Sequence, residues 1–404
     1  MSMSKWLHII GIGDDGLESL SAATRSVLAD AEVIFGAARH HALTPSLKGE
    51  RRAWPSPFNA LIDELRDLRG RRVVVFATGD PLWYSVGARI GRDIDPAEIL
   101  YHPQLSAFQL AAARMGWSLA NVETLTVHGR PAEQIIPFLR PGQKMLILTQ
   151  GHDSPREISS ILRDRGFGPS RLSVLAHMGG TDEVRFDGMA SSWPHDVPDF
   201  HTLAVECIAE ETAAPLPRFG LPDSAFVSDG NMTKQEVRVV TLAKLAPRRG
   251  ALLWDIGCGS GSVAIEWMRA ARDARAIGIE CRADRRALAV QNALALGTPG
   301  LKLIDATAPE GLADLPPPDA VFIGGGLTRE VFEAAWKALA PFGRLVANAV
   351  TLEGEALLIA LRSEFGGDLS RMAVARAKPV GSLSGWKPFM PVTQWSLTKG
   401  GCAP

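Results

Sequence analysis

At 404 residues the chain is longer than one ordinary hydrophobic core, so two or three domains are expected. With 46% hydrophobic and 22% charged residues the composition is globular, which excludes a disordered or collagen-like chain. A formal net charge of −1 provides no broad basic field for nucleic acid or an anionic membrane, so an anionic substrate has to be met by individual Arg or Lys side chains.

Residues 6–13 read as a buried first strand ending in Gly11 and Gly13. Gly11, Gly13 and Gly16 match G-x-G-x-x-G, yet Asp14 and Asp15 would face phosphates with charge of the same sign. A tight turn into a helix over about 19–31 is the better reading. A short strand, 31–35, precedes Arg39, His40 and His41 on a helix, where adjacent histidines point to different faces and share no metal. A helix over 57–69 leads to 72–78, an apolar run of the kind found in buried parallel strands. It stops at Gly79-Asp80-Pro81, a turn with exposed backbone groups at the strand end where α/β sheets place ligands. A strand at 99–101 leads to Ser106-Ala107, which opens a helix to Met115.

Taken in order, Gly11-x-Gly13, Gly79-Asp80-Pro81, Ser106-Ala107 and Val127-His128-Gly129-Arg130 resemble the tetrapyrrole (corrin/porphyrin) methylase family, in its precorrin-6Y branch. The resemblance implies two α/β lobes, about 1–116 and 120–210, clamping S-adenosylmethionine (SAM). It implies that Gly79, Asp80, Pro81, Ser106 and Ala107 hold SAM and that the Gly11–Gly16 turn, Gly11 and Gly13 included, faces the tetrapyrrole. Leu105-Ser106-Ala107-Phe108 departs from the Ile-Ser-Ser more frequent in that branch, which bears on one hydroxyl contact. In the second lobe, strands are expected at 144–149, 171–176, 183–186 and 202–208, with a helix over 154–165. His152-Asp153, at a strand end, reads as a turn or cap rather than a base.

Residues 211–223 carry Pro215, Pro217 and Pro222 without periodicity and read as a linker. Thr233 is then an N-cap, with Glu236 completing a capping box. The apolar run 251–254 leads into Asp255-Ile256-Gly257-Cys258-Gly259-Ser260-Gly261, and a helix-period run, 262–269, follows. Glycines there let the backbone pass close to a ligand, and the helix N-terminus offers free N–H groups. Asp255 can take an ammonium or a water. The next strand, 275–280, ends in Glu280, where a carboxylate accepts hydrogen bonds from ribose hydroxyls. Ser262 stands where a dinucleotide fingerprint needs its third glycine. Strands at 301–306, ending in Asp305 and Ala306, and at 319–323, ending in Gly324, Gly325 and Gly326, alternate with helices over 283–296 and 329–340. A strand at 343–347 and a helix at 352–365 follow. Two closing strands near 371–377 and 392–397, with no helix between, are expected to pair antiparallel.

Asp-x-Gly-x-Gly-x-Gly with Glu280 resembles the SAM site of class I methyltransferases. With Met232-Thr233-Lys234-Gln235-Glu236-Val237-Arg238 before it and the triple glycine after it, the second half resembles the decarboxylating precorrin methyltransferases. That resemblance implies SAM contacts from Thr233, Gly257, Cys258, Gly259, Ser260, Gly261, Glu280 and Ala306, joined by the strand-end acids Asp255 and Asp305. The expected fold is α/β: a two-lobed tetrapyrrole methylase domain (1–210), the linker, and a Rossmann-like class I domain (224–404) with an antiparallel last strand pair. The implied function is SAM-dependent methylation of precorrin-6Y/6B at carbons 5 and 15, with decarboxylation of the C12 acetate to give precorrin-8, in cobalamin biosynthesis. Two SAM sites per chain and assignment of the decarboxylation to 224–404 follow from the resemblance alone. The alternative is a class I methyltransferase of RNA or protein with an accessory α/β domain.

Methyl transfer to an electron-rich ring carbon needs alignment rather than a strong base, so no catalytic triad and no metal site are expected. Substrate carboxylates call for cations, with Arg39, Arg130, Arg185, Arg238, Arg329, Lys378 and Lys387 as candidates and Arg130 and Arg238 foremost. Gly324 and Gly325 would let a flat ring approach the backbone. Cys207, Cys258, Cys281 and Cys402 show no C-x-x-C spacing, which fits a reduced, cytoplasmic setting. No apolar run approaches ~18 residues and the start of the chain lacks a signal-peptide pattern. A small-molecule corrin precursor, no nucleic acid, no membrane and a homo-oligomer are the expected partnerships.

Overall fold

A computed structural model describes residues 5–400, so Cys402 lies outside the described residues. They form two compact units, one of residues up to 132 with 139–214, the other of 133–138 with 215 onward.

The first unit carries two sheets. Strands β1 (Leu7–Ile12), β2 (Val33–Phe35), β3 (Glu50–Arg52), β4 (Val73–Thr78) and β5 (Ile99–His102) lie in the order 3-2-4-1-5, all parallel. β1 and β4 are apolar along their length because both faces of this sheet are covered. Leu7, Ile9, Val73 and Val75 pack on Leu61, Leu65 and Ile90 on one face. Ile10, Ile12, Val74 and Phe76 pack on Leu20 and Leu28 on the other. The helices are shorter than expected: Ala22–Ala29, capped by Ser21, and Ala60–Asp67.

The second sheet holds β6 (Glu123–Thr126), β7 (Lys144–Leu148), β8 (Arg171–Ala176), β9 (Val184–Met189) and β10 (His201–Glu206), in the order 6-7-10-8-9. Only β6 and β7 run parallel. The helix Ala107–Met115 covers it, with Phe108, Ala111 and Ala112 on Leu146, Leu175 and Ala204.

The second unit is built on β11 (Leu252–Ile256), β12 (Arg275–Ile279), β13 (Lys302–Ile304), β14 (Ala320–Ile323), β15 (Arg344–Ala349), β16 (Asp368–Met372), β17 (Ala375–Val380), β18 (Leu383–Pro388) and β19 (Val392–Thr398). Seven of these form one sheet, 13-12-11-14-15-19-16. The order reverses between β11 and β14, the switch point where parallel α/β sheets bind ligands. The class I expectation therefore holds. Trp254 and Trp395, both fully buried, anchor the core.

The expected antiparallel closing pair is present as β16 and β19, and β19 also runs antiparallel to β15. The stretch 371–377 is not one strand, however. β16 ends at Met372, and β17 and β18 form a separate hairpin around Gly381 and Ser382, with Gly381 at φ +62°. Its Val380, Leu383 and Trp386 are exposed.

The capping box at Thr233 is not formed. The helix is Gln235–Leu245 with Lys234 at the N-cap, and the Gln235 N–H donates to Asp223 Oδ1 at 2.9 Å. Glu236 turns instead to Arg376, a charged partner that a backbone N–H does not match. No helix among the described residues is long and apolar enough to cross a membrane.

Candidate active site

A cavity of about 610 Å³ opens in the second unit at the carboxyl ends of β11, β12 and β14. Of the residues singled out in the sequence, Thr233, Asp255, Gly257, Cys258, Gly259, Ser260, Glu280, Ala306, Gly324 and Gly325 line it together. The turn after β11 makes this possible. Gly257, Gly259 and Gly261 adopt φ +70°, +54° and +79°, where an L side chain is strained. A Cβ on Gly257 would stand 2.8 Å from Gly325 Cα, so the two glycines let one strand-end loop lie against the other. Gly261 is the N-cap of the helix Ser262–Ala270 and packs on Ala289 and Ile265 rather than lining the cavity.

Asp255 is almost wholly buried. Its Oδ2 accepts the Ala264 N–H at 3.0 Å, and its Oδ1 is enclosed without a partner. Burial, reinforced by the nearby negative charge of Glu280 and opposed by the Ala264 bond, pushes its pKa up to about 7. Glu280 accepts the Gly259 N–H on Oε2 and the Arg282 N–H on Oε1, each at 3.0 Å. Two acceptor-rich carboxyls at adjacent strand ends suit a ligand that offers a cationic nitrogen and hydroxyl donors. Burial also pushes the Cys258 thiol up, away from thiolate chemistry. Among the described residues no group of three or more His, Cys, Asp or Glu side chains could hold a metal.

Two expectations are corrected here. Asp305 is exposed and pairs with Arg286 at 2.6 Å, because β13 ends at Ile304 and the chain has already turned; Ala306 lines the cavity in its place. Arg238 is not offered to a ligand. Its side chain is 0% exposed, ion-paired to Glu266 and to Asp223, and it donates to the carbonyls of Thr233 and Leu221. It holds the Thr233 segment against the cavity from behind.

The composition of the opposite wall was not foreseen. Met372, Val374, Phe389, Met390 and Val392, at the foot of the β17–β18 hairpin, supply an apolar side. Arg376 fastens this hairpin to Glu236 and Asp223, with Phe389 beneath its guanidinium. Gly381-Ser382 between two strand-length segments was the available signal for a two-residue hairpin loop. The cavity also contains Lys234, Arg282 and Arg285.

In the first unit, the residues singled out meet at the carboxyl ends of β1, β4 and β5. Gly79 is at φ +65° and rests on Leu105 and Ser106. A Cβ on Gly11 would collide with the Gly79 carbonyl, so Gly11 is an internal spacer and not a surface facing a ring. Gly13 sits beside Asp15. Asp80 Oδ1 accepts the Leu82 and Trp83 N–H groups at 2.7 and 3.1 Å, closing the turn that also contains Pro81. Ser106 forms a capping box with Gln109 at the start of the helix, next to Ala107. Trp83 and Tyr84 pack on Phe108 with centroids 5.0 and 6.0 Å away, and the exposed Arg130 lies 5.9 Å from the Tyr84 ring. Arg39 is paired with Asp14 and stacked on Phe200, Arg185 with Asp187, and Arg329 with Glu364. Lys378 and Lys387 project from the exposed hairpin.

Residues 6–192 match the tetrapyrrole (corrin/porphyrin) methylases, and residues 224–399 match the precorrin methyltransferase domain. The chain is 46% identical over 402 residues to a precorrin-6Y C(5,15)-methyltransferase [decarboxylating] from a Sinorhizobium species, covering 98% of this chain and 97% of that one. A protein of the same name from Mycobacterium tuberculosis is 37% identical over 398 residues, covering 97% and 99%. The solved C-terminal domain of precorrin-6Y C5,15-methyltransferase from Rhodobacter capsulatus is 49% identical, covers 46% of this chain and all of that one, and has a TM-score of 0.43.

Proposed function

This chain belongs to the decarboxylating precorrin-6Y C5,15-methyltransferase family, and from that premise we propose that it methylates a corrin precursor at carbons 5 and 15 and removes an acetate carboxyl as carbon dioxide, in cobalamin biosynthesis. The methyl donor of such enzymes is SAM. The proposal extends to two SAM sites per chain, one in a methylase domain over 1–210 and one in a class I domain over 224–404, joined by the linker 211–223. The observation that carries the second site is the unpartnered Asp255 Oδ1, enclosed beside Glu280 in a cavity floored by positive-φ glycines.

These residues fit SAM. Glu280 would accept from the ribose hydroxyls, Asp255 would meet the ammonium directly or through a water, and Gly257 and Gly259 would let the ligand lie on the backbone. When bound, SAM supplies an electrophilic methyl on a sulfonium sulfur, which departs as a neutral thioether. The protein's share is alignment, which can supply ~7–11 kcal/mol of the barrier. The apolar wall from Met372 to Val392 excludes water from the acceptor face. Decarboxylation breaks the bond between the acetate methylene and its carboxyl. The electron pair passes into the conjugated macrocycle, carbon dioxide leaves, and a proton takes its place on the side chain. No side chain need act as a strong base, and burial keeps the Cys258 thiol protonated. In the first unit, the turns at Gly79–Pro81 and Ser106–Ala107 would hold the second SAM, beside the ledge of Trp83, Tyr84 and Arg130.

The experiment is product mass spectrometry with the whole chain, SAM and a metal-free corrin precursor, beside calorimetric titration with SAM. Two added methyls, loss of carbon dioxide and two SAM bound per chain are expected. With labelled SAM and bulk RNA offered as a second acceptor, label in the RNA and not in the corrin would favour the other reading; one SAM per chain would remove the two-site part.

A further inference from the structure

Three cations line the cavity of the second unit, and they are not equivalent. Arg285 Nε is 2.9 Å from Asp229 Oδ2, and Arg282 Nε is 3.1 Å from Asp284 Oδ1. Both charges are already neutralised by a neighbour. Lys234 is different. Among the described residues it pairs with no carboxylate, and its Nζ makes one long bond, 3.3 Å to the Gly230 carbonyl. A lysine that lines a cavity with no carboxylate beside its ammonium, while the other cations are matched, is a site for an anion from outside the chain.

The backbone around Lys234 is held for this. The carbonyl of Thr233, the residue before it, accepts from the buried Arg238 Nη1 at 2.6 Å. The N–H of Gln235, the residue after it, is held by Asp223 Oδ1. The peptide on each side of Lys234 is therefore anchored to one buried network, and its side chain reaches the cavity from a fixed point. Among the other lining groups, Asp255 and Glu280 are acids, the hairpin foot is apolar, and Asn231, Thr233, Ser260, Ser262, Thr307 and Asn348 are neutral, so none of them supplies a positive charge for a carboxylate.

We propose that Lys234 binds a carboxylate of the acceptor in the second unit, and that this carboxylate is one the product retains. The inference rests on the functional reading above and deepens it. An ammonium paired with the departing carboxylate would stabilise the reactant's charge just where that charge has to leave, slowing the loss of carbon dioxide. The departing group therefore belongs against Val374 and Phe389, and Lys234 sets the position of the ring through another of its acids.

The test compares wild type, Lys234→Met and Lys234→Arg in the full chain, with a corrin precursor and SAM, reading carbon dioxide release. Loss of one charge-assisted contact should raise the acceptor KM about 10- to 100-fold. kcat should stay within about threefold, because the contact is made equally in reactant and transition state. Arg at 234 should restore most of the KM, and the Kd for SAM should be unaltered in both variants. In the wild type the acceptor KM should rise with salt, more steeply than in Lys234→Met, a comparison that does not depend on the rescue variant. An unchanged acceptor KM, a fall in kcat with KM intact, a faster kcat, or a parallel loss of SAM affinity would each overturn the assignment. If wild type itself releases no carbon dioxide from the corrin, the functional reading falls and takes this one with it; a wild type that turns over beside an indifferent Lys234→Met refutes the lysine alone.

Discussion

Arg376 grips Glu236 with two parallel bonds, Nε to Oε1 at 2.9 Å and Nη2 to Oε2 at 2.6 Å, while its Nη1 reaches Asp223 Oδ2 at 2.8 Å. One side chain thus ties the β17–β18 hairpin to the start of the helix Gln235–Leu245. The same Asp223 also receives Arg238, so the apolar wall and the Thr233 segment share an anchor.

Arg376→Ala should release the hairpin without opening the sheet. The guanidinium is 30% exposed, so the expected loss is ~1–2 kcal/mol after allowance for solvent. Hydrogen exchange should show faster amides over 375–389 and unchanged protection in β11 and β14. The acceptor KM should rise while the Kd for SAM stays constant.

Arg238 and Glu266 are both 0% exposed in their side chains. Arg238→Met leaves Glu266 buried without its cation and should cost ~3–5 kcal/mol. For a unit of this size that lowers its melting transition by roughly 6–20 °C. Arg238→Met with Glu266→Gln should melt higher than Arg238→Met alone, because the stranded charge is gone. Calorimetry of the three proteins checks the order.

Burial keeps Asp255 protonated up to about pH 7, whereas the unfolded chain gives up that proton near ~4. Between those values the folded chain holds the extra proton, so stability falls as pH rises from ~4 to about 7 and levels above it. Asp255→Asn should flatten that slope in thermal melts. Affinity for SAM, if it uses the ionised carboxyl, runs the other way: the Kd should fall about tenfold from about pH 6 to about pH 8 and become pH-independent in Asp255→Asn.

Gly257 and Gly259 separate the protein's own needs from the ligand's. A Cβ on Gly257 meets the backbone of Gly325, so Gly257→Ala should destabilise the fold. A Cβ on Gly259 meets nothing nearer than the Asn231 carbonyl at 3.9 Å, leaving only the strain of its φ, ~1–2 kcal/mol. Gly259→Ala should therefore fold and lose at least about tenfold in SAM affinity, because its new methyl occupies ligand space. Melting curves and titration of both variants distinguish the two.

The turn from Asp255 to Gly261 was legible because three glycines at alternate positions after an apolar strand have few other uses. The parallel run of β13, β12, β11, β14 and β15 followed from the alternation of strands and helices. Arg238 was not legible: a lone arginine on an amphipathic helix reads the same whether it is solvated or locked to a buried acid such as Glu266. Thr233 and Glu236 carried the letters of a capping box, but Asp223 and Arg376, distant in sequence, took their places. Asp305 failed because a strand-end rule tolerates no error of one residue, and β13 stopped at Ile304. The hairpin escaped notice since β17 and β18 are polar, contain Pro379 and Pro388, and bury neither face.

Strand β19 is the last element of the described chain, yet it lies inside the sheet, between β15 and β16, with Trp395 fully buried. During synthesis the second unit therefore waits with two unsatisfied strand edges until residue 398 has been made and released from the ribosome, while both sheets of the first unit can already be paired. A chain cut short before Val392 should reach the cell as an intact first unit attached to an unfinished and sticky second one.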